Sequence, residues 1–320
     1  MEKSSPWQPL THEAVFQAVE EVTGRKLSNL FLQRNSYINR VLELEIDKER
    51  ERLIVKFYRP GRWSREMILE EHTFLRALAE REIAVVPPLE FCGNTLFCFA
   101  SIYFEIMPKK GGRALDEFDR QAWEELGRLL ARVHLVGEAF SSASRLRWRP
   151  GAATRYHLQT LKHSNYLLPD FKEPMVKAIE RLIEQSDSWF EGKEQILIHG
   201  DCHKGNLIHR PGEGIYLVDF DDICLGPAVQ DLWMLLPDEP EKSEQEIAWF
   251  LKGYETFRSF DRSSLRLVPV LRAMRIVHYA AWLSIQYHDP GFHSHFPEAG
   301  GKRYWSELIR ELQEIVYSLT

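Results

Sequence analysis

Apolar and polar positions along the chain change their period once, about a third of the way in. Residues 11–23 place Val15, Ala18, Val19 and Val22 at helical spacing with glutamates between them, which predicts an amphipathic helix. Arg40 to Ile46 alternates apolar and charged residues, the pattern of a strand with one buried face. Asp47-Lys48-Glu49-Arg50 is a charged turn, and Leu53 to Tyr58 is a second strand, so the pair reads as a hairpin. Trp63 to Glu80 reads as a helix that turns Ile68, Phe74, Leu75 and Leu78 inward and carries Glu70 and Glu71 in its middle. Pro87-Pro88 interrupts regular structure. Residues 96–99 and 102–107 read as two further strands, ended by Pro108, and Lys109-Lys110-Gly111-Gly112 is a flexible exit.

From Phe118 onward the helical period dominates, over 120–136, 172–190, 242–259, 263–286 and 303–318. Two short strand signals, 195–198 and 215–218, stand among these helices. The expectation is an α+β chain in two lobes: an antiparallel-sheet lobe over 1–107 and a helix-rich lobe over 108–320, with the boundary near Pro108 to Gly112. At 320 residues the chain is long enough for two such lobes, and a cleft between them is the default ligand site.

Composition narrows the function classes. Lys plus Arg number 41 and Asp plus Glu 47, a formal charge of −6, which gives no reason to expect nucleic-acid or anionic-membrane binding. No apolar run approaches the roughly 20 residues of a membrane helix, and Met1 to Pro6 shows no secretory core, so a cytoplasmic protein is expected, and a monomer is taken as its working unit. Cys92, Cys98, Cys202 and Cys224 match no zinc or disulfide spacing. Cys202 and Cys224 flank the acidic motifs and are either oxidisable or simply buried small hydrophobes.

Those motifs carry the chemistry. Ile198-His199-Gly200-Asp201-Cys202-His203-Lys204-Gly205-Asn206 precedes Val218-Asp219-Phe220-Asp221-Asp222. Phosphoryl transfer needs a positioned nucleophile and divalent cations against the developing charge. Asp201 suits the group that takes a proton from an attacking hydroxyl; the competing reading is a turn aspartate bonded to its own backbone. Asn206 and Asp219 offer oxygen ligands for magnesium, and a plain acidic turn is the alternative for Asp219, Asp221 and Asp222. Asp221 could also make a second-metal contact. His199 reads as a brace for the loop, while His203 and Lys204 either reach a transferring phosphate or face solvent. Asp231, at the start of an apolar helix, reads as a structural acceptor for loop amides.

The order of groups is that of kinase-fold enzymes, as HGDxHxGN in place of HRDLKxxN. On that reading Lys56 holds nucleotide phosphates and pairs with a helical glutamate, Glu71 first and Glu70 second; otherwise Lys56 is an edge-strand lysine facing water. The adenine would meet backbone near Glu105, Met107 and Pro108. A glycine-rich loop is absent, and in its place Gln33 to Arg40 offers Ser36 and backbone amides to phosphate, or is a polar turn. Trp282, Tyr279, Tyr287, Trp305 and Tyr304 form either a cage for a cationic acceptor or core.

HGDCHKGN, VDFDD and GPAVQDLW, in this order, resemble the aminoglycoside phosphotransferase and choline kinase superfamily. Over nearly the full length the chain is similar to a serine/threonine protein kinase branch of it, through Asn35 to Val41, Val55 to Trp63, Leu69 to His72 and Leu271 to Arg275. The resemblance implies a two-lobed protein-kinase-like fold, ATP and Mg2+, Asp201 as base, Asn206 and Asp219 as metal ligands, Ser36 at the ATP site, and protection under envelope or oxidative stress. It also implies transfer to Ser or Thr of protein substrates, including the enzyme itself. A small-molecule kinase and a nucleotide-binding protein without turnover are the alternatives. Only a few residues separate Asp222 from Gly226-Pro227, so no long segment is available for switching by phosphorylation.

Overall fold

The computed structural model describes residues 5–115 and 117–319. The first part is helix α1 (His12–Thr23), strands β1 (Leu27–Gln33), β2 (Arg40–Ile46) and β3 (Arg52–Phe57), helix α2 (Arg65–Ala79), and strands β4 (Phe97–Phe99) and β5 (Ile102–Pro108). The remainder is α3 (Arg120–Glu138), α4 (Arg155–Lys162), α5 (Pro169–Ser186), β6 (Ile196–Ile198), β7 (Leu207–Arg210), β8 (Gly214–Leu217), β9 (Cys224–Gly226), α6 (Val229–Trp233), α7 (Glu244–Tyr254), α8 (Val268–Gln286), α9 (Phe292–His295) and α10 (Lys302–Ser318). Sheet-rich front and helical remainder are as the periodicity predicts.

Five antiparallel strands in the order β1-β2-β3-β5-β4 form the first sheet. The expected hairpin is β2–β3, in register Val41↔Lys56 to Glu45↔Arg52. Strand β1 was not expected. It carries Ser28 and Asn29, and its register slips between Leu27 and Phe31, so it shows no clean alternation. Leu42, Leu44, Val55, Phe57, Phe104 and Ile106 pack one sheet face against Val15, Ala18 and Val19 of α1. Thr11 caps α1 by accepting from the Ala14 amide.

The larger core lies among the helices, and α2 reaches into it. Phe74, Leu75 and Leu78, at the end of α2, belong to the core of the helical part rather than to that under the sheet, and Phe74 meets Phe140 and Phe220 edge-on. Thus α2 belongs to the front by sequence and ties it to the back by packing. Gly137 lets α3 run against β6, since a Cβ there would lie 2.0 Å from the Leu197 carbonyl oxygen. That contact fixes the strand from which the motif loop departs.

Candidate active site

Lys56 lies on β3, a central strand, and is only 6% exposed, which removes the water-facing edge reading. Its Nζ stands 2.6 Å from Asp221 Oδ1, 2.7 Å from Glu105 Oε1 and 3.3 Å from Glu71 Oε1. The pairing register sets Glu105 directly opposite Lys56, so its carboxylate turns to the lysine and to His72 Nε2 at 3.0 Å. Glu105 was expected where a nucleotide base meets backbone; its side chain is occupied otherwise, while Met107 lines the cleft. Burial works to raise the proton affinity of Glu105, yet Lys56 and His72 hold it down to about 2. Glu71 goes the other way, pushed up to about 8 by burial despite Lys56, with Asp221 and Glu105 adding to the rise. The lysine therefore balances Glu105 and Asp221, its two shorter contacts, while Glu71 keeps its proton.

The motif loop is built by backbone capture. Asp231 at the start of α6 accepts from the His199 and Gly200 amides, both at 2.8 Å, in the structural role expected of it. His134 Nε2 lies 3.1 Å from the same carboxylate. His199 is fully buried; its Nδ1 accepts from the Asp201 amide at 3.3 Å and its Nε2 lies 3.0 Å from the Val218 carbonyl. Gly200 turns at φ +81°, and a Cβ there would strike the Asp222 carbonyl at 2.5 Å.

Asp201 Oδ1 is 2.7 Å from Arg275 Nη1 of α8, and Oδ2 is 3.6 Å from His203 Nε2. Burial opposes its charge, but His203 and the Arg275 guanidinium beside it keep its carboxyl well below the usual range. His203 lines the cleft, whereas Lys204 sets its Nζ over the Phe118 ring. Asn206 donates through Nδ2 to the Asp201 carbonyl at 2.9 Å, which leaves the amide oxygen as the atom for a cation.

Asp219 adopts φ 65° and ψ 67°, a conformation that costs a non-glycine residue about 1–3 kcal/mol and that gathers at functional sites. Its proton affinity is pushed up to about 7, first by the crowding of protein around it and then by Asp221 and Asp222. The side chain still opens onto the cleft, where water or a cation can offset the crowding. Asp221 joins the two halves: Asn39 Nδ2 donates to its Oδ2 at 2.6 Å, and Arg145 holds its backbone carbonyl at 2.7 Å. Arg62 grips both oxygens of Asp222 at 2.8 and 2.9 Å.

These groups face one cleft of about 910 Å³. It brings together Ser36, Lys56, Glu71, Glu105, Met107, Asp201, Asn206 and Asp219. Ser36 is exposed there and accepts from the Asn39 amide at 3.3 Å. Of the aromatics considered for a cage, Tyr279 and Trp282 line the cleft. Tyr287, Tyr304 and Trp305 instead pack around Tyr166 in the helical core, so the five do not form one cage. Cys202 and Cys224 are buried, and burial pushes both thiols up, which leaves them as core. Arg275 lies inside the stretch Leu271 to Arg275 that carries the resemblance but was given no role, because a helical arginine carries no local signal of what its tip meets. Asn39 and Arg62 lay inside stretches that had been singled out without roles for them.

Among the described residues no group of three or more His, Cys, Asp and Glu is disposed to hold a metal ion. An amide and one carboxylate suit instead a hard cation that shares its shell with phosphate and water. No helix of the described residues is long and apolar enough to cross a membrane.

Stress response kinase A of Escherichia coli (strain K12) is 36% identical over 98% of this chain and 97% of that protein. Serine/threonine protein kinase RdoA of Salmonella typhimurium (strain LT2) is 34% identical over 93% of this chain and 90% of its own. Amicoumacin kinase hAmiN, solved with AMP-PNP, Ca2+ and Ami, superposes with a TM-score of 0.76 over 97% of this chain and 95% of its own; at 18% identity it shares the fold. A sequence profile described as "Phosphotransferase enzyme family" matches residues 32–268, and with relatives this similar over nearly the whole length, the chain belongs to that family and is a kinase.

Proposed function

We propose that the protein is an ATP- and Mg2+-dependent serine/threonine protein kinase of the stress-response type, acting in the cytoplasm on protein substrates and on itself. The observation that carries this reading is the convergence of Lys56, of Asp201 with Asn206, and of Asp219 on one cleft from three separate stretches of sequence. The full-length similarity to two kinases, one named for serine and threonine, supports the acceptor. On this reading residues 1–107 and 108–320 are the two lobes, and the working unit is a monomer.

Asp201 orients the acceptor hydroxyl and takes its proton as the oxygen bonds to the γ-phosphorus. The bond from that phosphorus to the β-phosphate oxygen breaks, and ADP leaves with the electron pair. Lys56, held upright by Glu71 and Glu105, meets the α- and β-phosphates, and Ser36 with its neighbouring amides covers them. Backbone at Met107 receives the adenine. Asn206 and Asp219 would hold magnesium, which when bound would supply positive charge against the charge that gathers on the phosphoryl group. Asp231, His199 and His134 do not touch substrate; they fix the loop.

A second reading is favoured by the neighbouring fold of amicoumacin kinase and by the short path from Asp222 to Gly226-Pro227: a kinase for a small hydroxylated molecule. The test is transfer from labelled ATP into a cell lysate, resolved into protein-bound and small-molecule products. Label on Ser and Thr of proteins supports the proposal, and label confined to small molecules overturns its acceptor.

A further inference from the structure

The wall of the cleft beside Asp201 is helix α8, which presents Arg275, His278, Tyr279 and Trp282 to it. None of the residues from Val268 to Gln286 is acidic. Tyr279 and Trp282 stack with centroids 5.7 Å apart and planes at 12°, and Tyr37 meets Trp282 at 5.9 Å. Arg275 engages Asp201 through Nη1 alone among the described residues. A guanidinium carries five donors in a planar fork, so this one contact leaves it able to bind a second anion at the same time.

The carboxylates of the cleft, by contrast, have cations in place. Glu43 is held by Arg52 at 2.7 Å, by Lys109 at 2.6 Å and by Arg34. Glu105 and Asp221 pair with Lys56, Asp222 with Arg62, and Asp201 with Arg275. A cationic acceptor would have to displace one of these partners, and Asp219 is already assigned to a cation of the nucleotide. An anionic acceptor meets a receptor that is ready.

We propose that the acceptor is an anion: its hydroxyl meets Asp201 while a carboxylate or phosphate next to that hydroxyl pairs with Arg275. Its less polar part rests on the Tyr279–Trp282 stack. The inference rests on the reading of Asp201 as the base and names the acceptor class for that site. Arg275 and the hydroxyl share Asp201 as a partner, so they stand within about two hydrogen-bond lengths, about 6 Å. Consecutive Cα atoms are about 3.8 Å apart, so in a protein substrate the anion is an acidic side chain one or two residues from the Ser or Thr.

The test uses the full chain, labelled ATP and three Ser-centred peptide libraries whose flanking positions are acidic, neutral or basic. The acidic library is expected to have a kcat/KM at least about tenfold above the basic one, the size of one charge-assisted hydrogen bond. Arg275→Gln should bring that ratio close to one whatever happens to the absolute rates, and Arg275→Lys should restore part of it. Equal or faster labelling of the basic library, or an unchanged ratio in Arg275→Gln, would overturn the inference. If no peptide is labelled, the same comparison is made between hydroxy acids and amino alcohols. Preference for hydroxy acids keeps the anion and retires the protein acceptor, and preference for amino alcohols overturns the anion. Transfer to nothing at all would sink the phosphotransfer reading itself, and the anion with it.

Discussion

A carboxylate at the end of a sharp turn does little until its surroundings decide its charge. Asp201 keeps its charge because His203 and Arg275 outweigh the cost of burial, and its backbone is fixed through His199 and Asn206. Asp201→Ala removes the proton acceptor and leaves the nucleotide side of the cleft intact. Transfer should fall by about 10²–10⁴-fold, the usual share of general base catalysis. Nucleotide affinity, measured by calorimetry on the same protein, should stay near wild type. Asp219 differs in that the crowding of protein around it, with Asp221 and Asp222 beside it, raises its proton affinity toward neutrality. A protonated carboxyl cannot ligate a cation. Below pH 7, apparent affinity for the magnesium nucleotide should therefore rise about tenfold per pH unit and level off above it. Asp219→Asn should bind more weakly and show a flat profile across pH 6 to 8, read by the same titration.

Elements set how much of this was legible in advance. The hairpin β2–β3 and the helix α2 follow from alternation and helical period, although the charged face of β2 is not wet: Glu43 and Glu45 are buried under Arg34, Arg52 and Lys109. Glycine, histidine and aspartate at fixed spacing announce the loop after β6, since few backbones tolerate that turn. What stayed hidden depends on contacts remote in sequence. Glu105 meets Lys56 by strand register across 49 residues, and Arg275 meets Asp201 across 74. Strand β1 hid behind a register shift, and β9, Cys-Leu-Gly, carries no β-branched or aromatic residue to mark a strand. Asp231 is the element-scale counterpart of Asp201. It ties α6 to the motif loop through two amides and reaches His134 of α3. Asp231→Ala strands two buried donors at roughly 1–3 kcal/mol each, so a loss of about 3 kcal/mol is expected in denaturant unfolding. Transfer should fall as well, and Asp231→Asn, which keeps one acceptor oxygen, should recover part of the stability.

At the scale of the molecule, the front sheet and the helical remainder meet through charge as much as through apolar packing. Lys56 and Asn39 from the front close on Asp221 from the back, Arg62 on Asp222, and Arg59 on Asp289 at 2.6 Å. Lys56 is the pivot, because three carboxyls converge on one ammonium away from water. Lys56→Met would remove the cation those carboxyls share, leaving His72 beside Glu105 and the charge of Arg62 near Asp221, and breaking such a buried arrangement costs about 3–5 kcal/mol. The pH dependence follows from which groups hold protons. In the wild type Glu105 is held down to about 2, so near neutrality it is charged in both folded and unfolded chains and its pairing with Lys56 stabilises the fold. Without Lys56, burial outweighs what still opposes it, His72 at Glu105 and Arg62 with Asn39 at Asp221, and lifts the folded-state proton affinities of both above their unfolded values. The folded variant then binds more protons than the unfolded one, so its stability climbs as pH falls. The deficit relative to wild type should be largest near pH 8 and shrink toward pH 5, read from urea midpoints of both proteins at each pH. A deficit that is the same at both ends would mean that Lys56 acts through packing alone, and that the two halves are not joined by its charge.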